Sequence, residues 1–81
     1  MARPFPDHQN HPELASIGRA IRAARLAKGL SQEALADAAG VDRSYLGGIE
    51  RGEHNLAVIN LKKIAEALAL RPSDLMRSAK L

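Results

Sequence analysis

Residues 32–51, QEALADAAGVDRSYLGGIER, contain two short helical patterns separated by a tight turn. In the first pattern, Leu35 and Ala39 lie four residues apart and therefore share one helical face. Gly40 follows at a position where a chain leaving a helix often needs a positive φ, which glycine adopts at low cost. Asp42 can then accept hydrogen bonds from the open N–H groups of a second helix. The segment therefore predicts two helices that meet over a short turn.

The second of these helices has one apolar face and one polar face. Leu46 and Ile49 fall at helical spacing and are predicted to face the core. The opposite, outer face of the helix then holds Asp42, Arg43, Ser44, Gly47, Gly48 and Arg51. Two arginines on an exposed helix suit a polyanion such as double-stranded DNA. An ordinary helical hairpin with a solvated face is the alternative.

The rest of the chain adds three more helices and no strand pattern. Residues 1–12 contain three of the four prolines and no period, so they predict a flexible N-terminal arm, and residues 13–81 predict one domain. A first helix is expected from Glu13 to near Gly29, a fourth from between Ala57 and Asn60, and a short fifth at Pro72. The sequence therefore predicts an all-α fold of five helices.

Composition excludes several classes of protein. The chain has 81 residues, which suffice for one small domain, and only 2% are aromatic, so its core must be aliphatic. There is no cysteine, and His8 and His11 lack the partner ligands of a metal site, so we expect neither metal nor cofactor. No apolar run could span a bilayer and no secretory signal is present, which favours a cytoplasmic protein without a membrane partner. No catalytic constellation indicates an enzyme.

From about Ile17 to Met76 the sequence resembles the phage repressor/Cro-like (XRE) helix-turn-helix family. The resemblance is carried by LAKGLSQEALADAAGV near the start of that family's domain and by LKKIAEALAL at its end. Between Asp42 and Leu61, DRSYLGGIERGEHNLAVINL is similar to the controller proteins of bacterial restriction–modification systems. The resemblance implies a compact, lambda-repressor-like five-helix domain that binds DNA through its second motif helix.

The resemblance also implies a set of DNA contacts. Arg43 is expected to reach O6 and N7 of guanine with its planar fork, with a phosphate contact as the alternative. Tyr45 either belongs to the core or, like its family counterparts, faces the DNA. Gly48 either allows the helix backbone to approach the DNA closely or is an unused position, and His54 stands where controllers often carry arginine. The expected DNA-binding residues are Gln32, Arg43, Ser44, Tyr45, Gly48, Arg51, His54 and Asn55.

Two further sets of residues are expected to be structural. Arg25 and Glu50 match a family pair that joins the first helix to the recognition helix, and a bidentate pair would fix the angle of the motif. The alternative is that both are free surface charges. One copy of the motif contacts too little DNA for tight binding, so we expect a homodimer with recognition helices about 34 Å apart. The candidates for its interface, which could instead complete the monomer core, are Leu56, Val58, Ile59, Leu75 and Met76.

These expectations lead to one function and two alternatives. The chain is expected to be a homodimeric transcriptional regulator, by resemblance a restriction–modification controller, that binds near-palindromic operators, with RNA polymerase as a candidate second partner. One alternative is the antitoxin of a toxin–antitoxin pair, for which only the N-terminal arm is available to bind a toxin. The other is a protein-interaction module that has lost DNA binding. The presence of Gln32, Arg43 and Arg51 on one side of the motif favours DNA binding over that module.

Overall fold

A computed structural model describes residues 11–81, which form five helices and no strand. The helices are α1 (Pro12–Ala27), α2 (Gln32–Ala39), α3 (Arg43–Glu50), α4 (Val58–Ala67) and α5 (Pro72–Ser78). The predicted all-α fold is therefore confirmed for this part of the chain. His8 and most of the predicted N-terminal arm lie outside the described residues.

Short polar residues and one glycine set the bounds of α2 and α3. The Ser31 Oγ accepts a hydrogen bond from the backbone N–H of Ala34 at 3.0 Å, and the Asp42 Oδ2 accepts one from that of Tyr45 at 3.2 Å. Gly40 ends α2 in the left-handed conformation, with φ of 71°. Gly40 and Asp42 have the roles that the sequence predicts, and they place α3 directly after the turn.

Aliphatic side chains from all five helices form the core. The largest fully buried ones are Ile21, Leu35, Leu46, Ile49, Ile64, Leu68 and Leu75. The expectation that Leu75 is available to a dimer partner is wrong, because α5 packs on α1 and α4 and turns this side chain inward, leaving it 1% exposed. Its neighbour Met76 points outward instead. Leu75 therefore completes the monomer core, which is the alternative left open above.

The helices α1 and α3 approach each other most closely at Gly18, where no side chain fits. A Cβ on this residue would collide with the carbonyl oxygen of Ile49 and lie 2.8 Å from that of Glu50. In the loop that follows α3, Gly52 has φ of 75°. A Cβ on this residue would lie 2.9 Å from Cα of Ala15 on α1, so there is no room for a side chain here either. The last turn of α3 and the loop after it are thus both held directly on α1.

Candidate DNA interface

An ion pair between α1 and α3 fixes the orientation of α3. Arg25 donates from Nε to Glu50 Oε2 at 2.7 Å and from Nη2 to Glu50 Oε1 at 3.0 Å, and both residues are 7% exposed. Its Nη1 also donates to the carbonyl oxygen of Leu30 at 2.9 Å. The hydrogen bond to Glu50 raises the pKa of Arg25, so the guanidinium stays charged. This geometry ties α1, the segment before α2 and the end of α3 together.

Gln32 extends this ion pair toward the surface. Its Nε2 donates to Glu50 Oε1 at 3.0 Å, and its Oε1 accepts a long hydrogen bond, at 3.4 Å, from Nη1 of Arg43. The amide therefore connects a buried carboxylate on one side to an exposed arginine on the other. Gln32 is expected to contact phosphate; in addition, the structure gives it a place in the packing of α2 against α3.

Three side chains on the outer face of α3 are exposed, as predicted: Arg43, Ser44 and Arg51. Arg51 donates from Nε to Glu53 Oε2 at 3.0 Å. This hydrogen bond lowers the pKa of Glu53 and raises that of Arg51. Because the pair is exposed, it contributes little to stability, and Arg51 can exchange Glu53 for another anion. Asn55 is exposed in the loop that follows.

Gly47 and Gly48 lie on the outer face of α3, but they are buried there, because neighbouring side chains cover them. A Cβ on Gly47 would lie 3.2 Å from Nη1 of Arg51 and 3.5 Å from Oε1 of Gln32. A Cβ on Gly48 would collide with Cδ2 and Nε2 of His54. The missing side chains leave space that neighbouring side chains fill, and both glycines are buried. Direct contact of DNA with Gly48 therefore requires that His54 move.

Tyr45 lies at the edge of the core and is half-buried. Its ring packs against the core, while its hydroxyl accepts a hydrogen bond from Nδ2 of Asn60 at 2.9 Å. This bond joins α3 to the first turn of α4. The hydroxyl can still donate its own proton, so a contact of Tyr45 with DNA stays a prediction.

Asn60 and Gly18 are two residues of this region whose roles the sequence did not predict. Gly18 carried a usable signal, since an isolated glycine inside a helical pattern often marks close packing. Asn60 carried none, because nothing local indicates that it meets a tyrosine of another helix. Both of them help to hold α3 in place.

Apolar side chains are exposed at the start of α4 and on α5. Val58 is 80% exposed, Ile59 61% and Met76 36%, whereas Leu56 is partly buried against the core. Leu81, which was not among the candidates, is 49% exposed. Of the five candidates for the dimer interface, three therefore have exposed apolar surface that a partner could bury: Val58, Ile59 and Met76.

The described residues show neither of two other kinds of site. Within residues 11–81, His, Cys, Asp and Glu side chains form no group of three or more that could hold a metal ion. None of the helices in this range is both long and apolar enough to cross a membrane.

Proteins of similar sequence and structure fall into one family. The family profile described as Helix-turn-helix matches residues 21–75. The control protein C.BamHI of Bacillus amyloliquefaciens is 42% identical over 61 residues, which are 74% of this chain and 75% of that protein. The restriction–modification controller protein C.AhdI from Aeromonas hydrophila is 48% identical with a TM-score of 0.79, over 80% of this chain and 98% of that one. The chain therefore belongs to the XRE-type helix-turn-helix family of DNA-binding transcription regulators.

Proposed function

We propose that this protein is a cytoplasmic homodimer that binds near-palindromic operators and controls the genes of a restriction–modification system. The observation that carries the proposal is the exposed pair Arg43 and Ser44 at the start of α3, on a helix anchored by the buried ion pair of Arg25 and Glu50. The names of C.BamHI and C.AhdI, both controllers, support the assignment of the regulated genes.

In the proposed complex, the side chains of the outer face exchange protein partners for DNA. Arg43 gives up a long, exposed hydrogen bond to Gln32 and binds a guanine edge. Arg51 exchanges Glu53 for a phosphate, and Asn55 contacts the same strand. Because both hydrogen bonds given up are exposed, little free energy is lost in the exchange.

A gel-shift assay against genomic fragments at moderate salt tests this function. We expect a few fragments to be retarded selectively, among them the promoter of the gene for this protein. If no fragment is shifted, the protein is an interaction module, and if every fragment is shifted equally, it binds DNA without selecting a sequence. Either result would show that the proposal is wrong.

The two arginines of the outer face are expected to respond differently to replacement. Arg43→Ala removes a bidentate base contact and should reduce discrimination at one base pair per half-site by about 1–3 kcal/mol. Arg51→Ala removes a phosphate contact and should weaken binding to operator and random DNA alike, with a salt slope smaller by about 0.9 per half-site. Competition binding with base-substituted operators measures both effects. Arg22→Ala, an exposed change on α1, is the control, and identical effects of the first two changes would contradict the assigned roles.

Ile59→Glu is expected to convert the dimer into a monomer. The side chain is 61% exposed in the monomer, so the change should not disturb the core. Burial of such a side chain is worth about 1.5–3 kcal/mol, and the symmetric dimer buries one Ile59 from each protomer. The dimer dissociation constant should therefore rise at least about a hundredfold. Sedimentation equilibrium measures this. Leu26→Glu, at a residue of α1 that is 51% exposed, should leave the dimer intact; a dimer that survives Ile59→Glu would place the interface elsewhere.

A further inference from the structure

His54 belongs to the loop after α3, yet its ring has a defined place on that helix. The edge formed by Cδ2 and Nε2 occupies the space where Gly48 would otherwise carry a Cβ. The Tyr45 ring flanks it, with ring centroids 5.6 Å apart and an angle of 33° between the planes. Only glycine at residue 48 allows the imidazole to lie this close to the helix, although His54 stays exposed on its other side.

The position of the ring extends the surface proposed to meet DNA. Gly47 and Gly48 follow Arg43 and Ser44 by one helical turn and therefore share their face. The side chains of Gln32 and Arg51 cover Gly47, and that of His54 covers Gly48. These side chains thus continue the outer face of α3. Within the imidazole, Nδ1 is opposite the edge that rests on Gly48, so it is the nitrogen directed away from the helix.

The charge at this point of the surface depends on His54 itself. The titratable groups around the ring are the Tyr45 hydroxyl on α3 and, from the chain next to His54, Glu53 and Arg51. In the free protein Glu53 is paired with Arg51, so these two charges largely offset each other there. A neutral imidazole adds no charge here, whereas an imidazolium adds one and carries protons on both ring nitrogens.

We propose that His54, held on Gly48 beside Tyr45, is a phosphate contact that forms when its imidazole is protonated. This inference rests on the proposed DNA-binding function. Histidine is the side chain whose charge ordinarily changes between about pH 5 and pH 8, and a DNA phosphate stabilises the charged form. Operator affinity therefore increases as the pH falls through that range, and it does so with a larger salt slope.

Operator binding at about pH 8 and about pH 6 tests the proposal, with the affinity measured by fluorescence anisotropy. For the unchanged protein we expect the affinity to rise about tenfold on acidification, since each half-site gains one phosphate contact. His54→Asn should bind as the unchanged protein does at high pH and lose most of the increase. His54→Arg should bind tightly at both pH values, because its charge does not titrate.

Gly48→Ala tests the placement of the ring separately from its chemistry. The three atoms nearest to the new methyl group all belong to the His54 ring, on a flexible side chain, so the fold should be kept and α3 should gain up to about 1 kcal/mol of helix propensity. We expect thermal unfolding at the same or a higher temperature, together with a reduced response of operator affinity to pH.

The outcomes separate this inference from the proposed function. If the unchanged protein binds selectively and His54→Asn responds to pH as strongly as it does, the role of His54 is overturned and the proposed function is kept. Absence of selective binding at both pH values would overturn the proposed function itself. A full pH response in a folded Gly48→Ala protein would contradict the placement of the ring.

Discussion

Glu50→Ala is expected to lower the free energy of unfolding by about 3–5 kcal/mol. The change leaves the Arg25 guanidinium in a site that is 7% exposed without the carboxylate that accepts two of its hydrogen bonds. It also removes the acceptor for Nε2 of Gln32. A small domain is stable by only about 5–15 kcal/mol, so the change should remove a large share of the stability of this protein.

Urea unfolding followed by circular dichroism measures this loss. Glu53→Ala is a suitable control, since it also removes the carboxylate partner of an arginine, but from an exposed pair, and it should leave the unfolding midpoint unchanged. The double change Arg25→Met with Glu50→Leu should recover most of the stability, because it leaves no unpaired buried charge. Equal midpoints for Glu50→Ala and Glu53→Ala would contradict the structural importance of the buried pair.

Gly18→Ala is expected to destabilise the domain by about 1–3 kcal/mol and to weaken operator binding in the fraction that stays folded. The added methyl group meets the carbonyl oxygens of Ile49 and Glu50, which are backbone atoms and cannot move without displacing the last turn of α3. The displacement would move Arg43 and Arg51 relative to the DNA. Operator affinity should therefore fall more than the folded fraction does.

The same substitution at another helical glycine gives the control. Gly48→Ala places its methyl group against a flexible side chain instead of backbone, so it should not destabilise the domain. Thermal unfolding of both proteins makes the comparison, and operator titration of the Gly18→Ala protein beside the unchanged protein measures its loss of affinity. If Gly18→Ala unfolds at the temperature of the unchanged protein, α1 and α3 do not meet closely enough to exclude a methyl group.

Local signals in the sequence predict the helix-turn-helix well, because its bounds are set by single residues. Ser31 and Asp42 cap their helices through bonds to groups three residues away, and Gly40 supplies its own backbone conformation. The inward direction of Leu46 and Ile49 follows from helical spacing alone. Arg25 and Glu50 are 25 residues apart, and only the family resemblance linked them before the structure did.

What the sequence did not predict depends on contacts between distant elements. Leu75 and Met76 are adjacent apolar residues of α5, and only the docking of that helix decides which one is buried. The burial of Gly48 is equally hard to predict from the sequence, because it is the ring of His54, in the following loop, that covers this residue. Periodicity identifies the face of a helix, but it does not show which neighbour covers that face.

Selection of bound sites from a random DNA pool asks whether paired copies of α3 read a two-fold-related sequence, the property on which the proposed regulation depends. We expect a symmetric consensus, with a guanine at the same place in each half-site and loss of that preference alone in the Arg43→Ala protein. An asymmetric single site, no enrichment at all, or a consensus unchanged by Arg43→Ala would show that α3 does not read DNA in this way.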